Sequence, residues 1–424
     1  MNKKLGLAVA GAVMAFASTA QAGITIPAGD WTLDVGGVVN AYYTSTTYSG
    51  DNTGATAPLG LGTGNGKATN NITTGLLPNY LSVSGKTRQN DLDVAFTISI
   101  NPGASQESAG GQSAKQENRQ AFLTFGDASW GSVKLGKDLG IFASDAILND
   151  MTLLGVGAGA GSLAGNTTTL GRIGTGFMYA DWKSQVAYTT PNWNGFQATV
   201  AVTQAWNAED GSVGTSAHST ERGRNSPAFE GKASYSWTGD VAGKVWASAI
   251  SQKVEGLSNA VSASLPTTAG TAVVTAVPNS ITDTSDRARA WDIGGHIDVA
   301  NFGLTAYYYD GKGIGQTMQL RDGFDANGKR RDSDGYYVQA TYVLPTTTKL
   351  GVSWGESKID GNRSADAFKD VTDSMWTVGA YHPITKSLNL VAEYSKSQRD
   401  VDNRTTADLK ADAKTVSLGA ILFF

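Results

Sequence analysis

The sequence predicts an all-β fold, a transmembrane antiparallel β-barrel of about 16 strands. Three observations in its 424 residues carry that expectation. Apolar and polar side chains alternate with period two along nearly the whole chain, in segments of about ten residues. The connections alternate between tight turns and long polar loops, as they do in a barrel with two unlike rims. Beyond Ala22 no apolar run approaches the roughly 18 residues of a membrane helix.

Met1–Ala22 reads as an export signal, removed before folding. Lys3 and Lys4 start it, Leu5 to Phe16 form its apolar run, and Ala20-Gln21-Ala22 is a small-residue cleavage site. The run is too short to span a bilayer. Residues 23–424 then form one barrel domain, with no internal linker. Leu33, Val35 and Val39 alternate with Thr32, Asp34 and Asn40, and Leu81 and Val83 alternate with Ser82 and Ser84, a face that continues to Lys86 and Arg88. The clearest strand is Asp91 to Asn101, with Leu92, Val94, Phe96, Ile98 and Ile100 on one face and Asp93, Ala95, Thr97 and Ser99 on the other. Phe229 to Trp237, Trp291 to Val299 and Leu388 to Ser395 repeat the pattern, and the chain ends on Val416, Leu418, Ala420, Leu422 and Phe424.

Tight turns fall at Gln89-Asn90, Trp130-Gly131, Asn192 to Gly195, Gly239-Asp240, Asn301 to Gly303, Pro345 to Thr348 and Pro383 to Lys386. Between them lie Thr44 to Pro78, Pro102 to Lys115, Asn207 to Pro227, Gly256 to Asp286, Gly311 to Asp332, Asp360 to Asp370 and Gln398 to Ala411, all read as long loops. The longest break, Asp138 to Asp181, is rich in Gly and Ala and too long for an ordinary connector. In a closed barrel such a segment can fold inward and narrow the lumen. A barrel of this size is too wide for side chains to fill, so water occupies it.

Composition removes other classes. There is no cysteine, so disulfides and thiolate metal sites are absent. With 9% aromatic residues the chain is not disordered. The net charge of −4, two units more negative without Lys3 and Lys4, argues against nucleic acid as a partner. Gly60 to Lys67 superficially suggests a phosphate loop, but the spacing fails, since Lys67 is followed by Ala68. Asp322 to Gly335 is acidic enough for a weak Ca²⁺ site on an external loop, although EF-hand spacing is missing. No other cofactor or metal is expected. His218, His296 and His382 lie in separate elements, and none is tied by a motif to a nucleophile, so no enzyme is expected.

On these residues the chain resembles the general porins of Gram-negative bacteria. NRQAFLTFGDASWGSVKLGKDLG, from Asn118, is similar to the paired strands that lead into the family's third loop. VAYTTPNWNGF, from Val186, is similar to the strand and turn that leave it, and WTLDVGGVVNAYY with the terminal Phe424 fits the two ends. The resemblance implies a homotrimer in outer-membrane lipid and lipopolysaccharide. It would be inserted by the barrel-assembly machinery, which reads Phe424, and would pass small hydrophilic solutes and ions. It also implies a constriction with acids on the inward loop, at Asp150 and nearby Asp145, facing a basic wall. Arg119 matches a family arginine, and Lys86, Arg88 and Lys134 fall on lumenal faces by alternation. Arg172 matches the arginine after the loop in one register, whereas the other register puts Lys183 on the wall. Leu153 and Leu154 stand where a second acid is usual, and Gly37 and Tyr80 where basic residues are usual, so the constriction carries less charge than in the family's strong examples.

Two rival readings remain at this stage. A substrate-specific porin for sugars or organic acids would need an aromatic track, for which Trp246 and Tyr307 are candidates. A structural or adhesive barrel would have a plugged lumen. The terminal alternation generates one test. Deleting Phe424 is expected to lower the yield of heat-modifiable folded barrel in outer membranes, and an unchanged yield would refute its role.

Overall fold

A computed structural model describes residues 23–51, 59, 68–104, 116–158, 168–209, 211, 216–221, 226–259 and 285–424. The export signal and the glycine-rich stretch Gly60 to Lys67 lie outside the described residues. The chain begins with strands β1 (Ile24–Ala28), β2 (Trp31–Gly50), β3 (Ala68–Thr73), β4 (Tyr80–Gln89) and β5 (Leu92–Pro102). Next come β6 (Gln116–Glu117), β7 (Ala121–Asp127) and β8 (Gly131–Leu139). A long loop carrying helix α1 (Ser144–Leu148) leads to β9 (Trp182–Thr189), β10 (Phe196–Thr203), β11 (Ala217–Glu221), β12 (Ala228–Trp237) and β13 (Val241–Asn259). The wall then continues through β14 (Asp286–Val299), β15 (Phe302–Lys312), β16 (Asp332–Val343) and β17 (Lys349–Asp360). It finishes with β18 (Phe368–Pro383), β19 (Leu388–Asn403) and β20 (Leu409–Phe423).

These segments close into an antiparallel barrel of 16 strands. The number is smaller than the number of segments because four pairs each share one place in the wall. β3 and β4 lie in line against β2, β6 and β7 against β5, and β11 and β12 against β13. The fourth pair is the seam. β2 pairs with β20 from Val38–Phe423 to Gly50–Ala411, and with β1 from Val35–Ile24 to Trp31–Ala28. Gly37 and Phe424 exchange both backbone hydrogen bonds between them, at 2.9 and 3.1 Å. The last residue is therefore built into the ladder, and the two chain ends together complete one strand.

Burial is inverted relative to a water-soluble protein. Ile98, Val200, Ile293, Leu304, Val352 and Leu418 point outward and are exposed, whereas Ser99, Thr203, Asp292, Thr305, Ser353 and Ser417 point inward and are buried. That is the alternation of a wall with lipid outside and a polar lumen. Outward aromatics pair in two rows. Phe125 with Trp130, Trp193 with Phe196 and Phe302 with Tyr342 lie near the tight turns, while Trp291 with Tyr308, Tyr336 with Trp354 and Trp376 with Tyr394 lie farther up. Such belts mark the two interfaces of a bilayer. The tight turns take the backbone expected of them: Asn90 and Asp91, joining β4 to β5, have φ of 49° and 61°, as a primed hairpin turn requires.

One expected loop, Gln398 to Ala411, is mostly strand, and Asp360 to Asp370 is strand at its two ends. β17 runs to Asp360 and β18 starts at Phe368, and β19 runs to Asn403 before β20 starts at Leu409. Above the lipid the outward face turns charged, as at Lys396 and Asp400, so strand continues without the apolar signal that marks it lower down. Strands here are accordingly longer than about ten residues. The facing of β5 generates a test. Ile98→Arg is expected to destabilise the barrel by about 2–4 kcal/mol and Thr97→Arg by much less, measured by reversible urea unfolding in detergent or bilayers. Equal costs would overturn the assignment of faces.

Candidate functional site

Inside a barrel, a loop meets the same demand as any buried backbone: its N–H and C=O groups need partners. The segment between β8 and β9 folds into the lumen, and wall side chains supply those partners. Ile141 and Phe142 both donate their N–H to Glu230 Oε2 on β12, each at 2.8 Å. Ala143, at φ 63°, donates to Asp292 Oδ2 on β14 at 3.1 Å. Farther along, Met151 N–H donates to Gln339 Oε1 on β16 at 2.7 Å, and Tyr337 OH donates to the Ala146 carbonyl at 2.9 Å. The far end of the segment crosses to β19, where Val156 and Gly157 donate to Glu393 Oε2 at 2.7 and 2.9 Å. Tyr381 OH donates to the other oxygen at 2.6 Å. A Cβ at Gly155 would sit 2.1 Å from Glu393 Oε1, so any other residue there would have to push the anchoring carboxylate aside. Hydrogen bonds to a charged acceptor contribute about 1.5–3 kcal/mol each, so these carboxylates are the loop's principal anchors.

Apolar packing completes the attachment. Phe142, Ile147, Ile173, Phe177 and Met178 of the loop are buried against Trp246, Ile250, Tyr307 and Tyr337 of the wall. Phe177 packs at 5.7 Å from Tyr337 and 6.5 Å from Tyr307. Trp246 and Tyr307, which could have formed an aromatic track, are each only 3% exposed beneath the loop and present no such track to the lumen. A second segment enters as well, which the sequence did not signal. Between β15 and β16, Ile314, Leu320 and Phe324 join the same cluster. Arg331, ending this segment, forms a two-point pair with Asp366 (2.9 and 2.5 Å). Two acids of the expected Ca²⁺ loop, Asp322 and Asp325, accept hydrogen bonds inside the protein, and Asp332 pairs with Lys312 at the surface. Asp322 Oδ1 accepts from Gly211 N–H and Ser216 Oγ, and Asp325 accepts from Asn327, Lys329 and Asn362.

The expected constriction residues separate into two groups. Four are buried. Asp150 caps the short helical turn Met151–Leu154, its Oδ1 accepting from Thr152 N–H at 3.0 Å and its Oδ2 from Thr152 Oγ1 at 2.5 Å. Burial pushes its carboxyl above the usual range, with Arg172 opposing. Arg172 lies in the loop, donating to the Met375 carbonyl at 2.9 Å and Ser353 Oγ at 2.5 Å. Lys183 is the wall residue of that pair of alternatives. It sits on β9, fully enclosed, with Glu230 at 2.6 Å, Gln319 at 2.7 Å and the Trp206 ring at 4.3 Å. Asp145 is 3% exposed and paired with Lys232 at 2.8 Å and with Lys244. Burial works to raise its carboxyl, and the two lysines outweigh it and hold it below the usual range.

Lys86, Arg88 and Lys134 keep partial exposure. Lys86 faces Asp34 at 3.2 Å, and Lys134 pairs with Asp138 and stacks on Phe122. Arg88 sits at the tight-turn rim, away from the loop, bound to Asp93 at 2.8 Å and Asp127 at 2.9 Å. Arg119 pairs with Glu117 at 2.8 Å and lies 5.8 Å from the Trp182 ring. It borders an apolar recess of about 40 Å³ between loop and wall, lined by Leu76, Leu77, Leu139, Leu148, Leu153 and Trp182 among others. Glu230, Glu393, Lys232 and Lys244 contact the inward loop and were missed by motif reasoning. Alternation already placed Glu230, Lys232 and Glu393 on inward faces, but nothing local marks which inward acids meet a loop.

The wall and the inward loop define a class, an outer-membrane channel barrel with a lumen narrowed from within. The family model for Gram-negative porins matches residues 7–404, and the chain belongs to that family and to the outer membrane. Among solved structures it is similar to the outer membrane channel DcaP of Acinetobacter baumannii, with a TM-score of 0.63, 16% identity, 95% of this chain and 100% of that chain covered. It is similar to the anion-selective porin of Comamonas acidovorans, with a TM-score of 0.57, 13% identity and coverage of 93% and 100%. OmpF of Salmonella typhi, in complex with daunomycin, gives 0.54 at 15% identity, with coverage of 93% and 100%. At these identities the likeness is one of fold. No curated protein matches by sequence.

The enclosed Lys183–Glu230 pair generates a test. Glu230→Gln keeps an oxygen for the loop N–H groups but leaves Lys183 without its countercharge, at a cost of about 3–5 kcal/mol. Adding Lys183→Met should recover most of that loss in urea unfolding of the folded barrel. No recovery would mean that the pair does not act as a unit.

Proposed function

We propose that the protein is a passive diffusion channel for small hydrophilic solutes and ions. Solutes would be selected by size and charge beside the loop between β8 and β9. One observation carries this reading: the loop is bound to the β12–β19 side of the wall, while polar and charged residues on the β4–β8 side, Ser84, Lys86, Thr97 and Lys134, keep access to the lumen. Side chains that are partly exposed on an inward face border water. Charge close to a narrow passage acts undiluted, because low-dielectric walls confine its field. Lys86 and Lys134 are each balanced by one acid, Asp34 and Asp138, whereas Lys232 and Lys244 share only the enclosed Asp145, so the channel prefers anions mildly despite its negative net charge. The anion-selective porin of Comamonas acidovorans, similar in fold, is in keeping with that sign.

The assembly is a homotrimer inserted in lipid and lipopolysaccharide by the barrel-assembly machinery. The OmpT of Vibrio cholerae, whose structure in trimer form has a TM-score of 0.52, supports this state. In planar bilayers the purified protein is expected to give ohmic steps in groups of three. In a salt gradient its reversal potential should lie on the anion side of zero and shrink towards zero as salt shortens the reach of the charges. Absence of conductance would favour a plugged barrel, and steps that one solute class blocks would favour a dedicated transporter.

A further inference from the structure

We propose that Lys232 and Lys244, on neighbouring wall strands below the root of the inward loop, form a transient binding site for small oxyanions such as phosphate and simple carboxylates. The proposal rests on the channel reading above and assigns it a site.

The geometry is that of two ammonium groups sharing one carboxylate. Lys232 Nζ lies 2.8 Å from Asp145 Oδ2, and Lys244 Nζ takes the other oxygen. One carboxylate balances one lysine. The order of burial matters as much as the count: the Asp145 side chain is 3% exposed, Lys232 17% and Lys244 33%. The acid lies behind and the ammonium groups in front, towards the lumen. Each ammonium carries three donors. Lys232 donates to Ser144 Oγ at 3.1 Å and is ion-paired with Asp145, and Lys244 donates to Asp145. Donors that remain point at water or at whatever passes.

The surrounding charges do not cancel this arrangement at the surface. Asp292, packed beside Asp145, is buried and takes Ala143 N–H, Ser248 N–H, Ser248 Oγ and Tyr307 OH. Its oxygens are engaged from behind the site. His296, the ladder partner of Lys244, is hydrogen-bonded to Thr305 at 2.8 Å and to Asp298 at 3.0 Å. Asp298 is an accessible acid nearby, and Lys349 of β17 faces it electrostatically. An oxyanion moving towards the tight-turn rim meets two lysines whose resident partner is a single, enclosed carboxylate. Charge-assisted donation favours its pausing there. Asp145 keeps that stay short, since it competes for the same donors, and a channel conducts only where binding is weak enough to release.

The test uses the full-length protein in planar bilayers in chloride, with inorganic phosphate added to one chamber. Phosphate is expected to reduce or flicker the chloride current of the wild type. Lys244→Gln should weaken that block several-fold and move the reversal potential towards cations, while Lys244→Arg should keep both. Asp145→Asn should strengthen the block, because the resident competitor loses its charge. Open channels of Lys244→Gln with an unchanged phosphate response and reversal potential would overturn the site and leave the channel standing. A wild type that never conducts would overturn the channel reading itself, and the site with it.

Discussion

Hydrocarbon offers no hydrogen bonds, and this one constraint governs the protein. Every strand N–H and C=O that crosses lipid must be satisfied by another strand, so the sheet has to close. Closure explains the seam, where a single wall strand is assembled from both chain ends and Phe424 exchanges backbone bonds with Gly37. It also explains the inverted burial. Once the outside is lipid, the inward face must carry the polar residues that a soluble protein would display.

A wall of 16 strands leaves a lumen that the wall's own side chains cannot fill. Chain is brought in from the loop rim to narrow it, and the demand for hydrogen-bond partners is then transferred to that chain. Glu230, Asp292, Gln339 and Glu393 meet it, each from a different strand. An apolar cluster around Phe177, Trp246 and Tyr337 fills the space behind. The interior is thus half core and half passage: the loop is packed like a protein interior against β12–β19 and leaves the β4–β8 side to solvent.

Charge follows the same division. Lys183, Arg172, Arg331 and Arg399 are enclosed and hold segments together, Arg399 through a two-point pair with Asp373 at 2.9 and 2.6 Å. Lys86, Lys134, Lys232 and Lys244 keep access to water. Net charge is therefore a poor guide to ion preference here, because enclosed pairs and screened loop acids contribute little to the field in the passage.

Period-two alternation and the sorting of turns from loops were enough to specify a closed membrane barrel, its strand number and the faces of its strands. Both reflect a local rule, that successive side chains on a strand face lipid and water in turn. The long Gly- and Ala-rich break also announced an inward loop. The sequence could not announce which inward charges meet that loop. Asp150 and Arg172 look like pore residues by position, yet they are enclosed, whereas Lys232 and Lys244, unmarked by any motif, reach the lumen. The entry of the segment around Phe324 and the strand beyond Gln398 were likewise invisible, the first because its partners are distant in sequence and the second because polar strand above the lipid has no alternation to read. Facing is decided residue by residue along one strand. Burial inside the lumen is decided by contacts between segments more than a hundred residues apart, such as Ala143 with Asp292 and Val156 with Glu393, and only the closed fold brings them together.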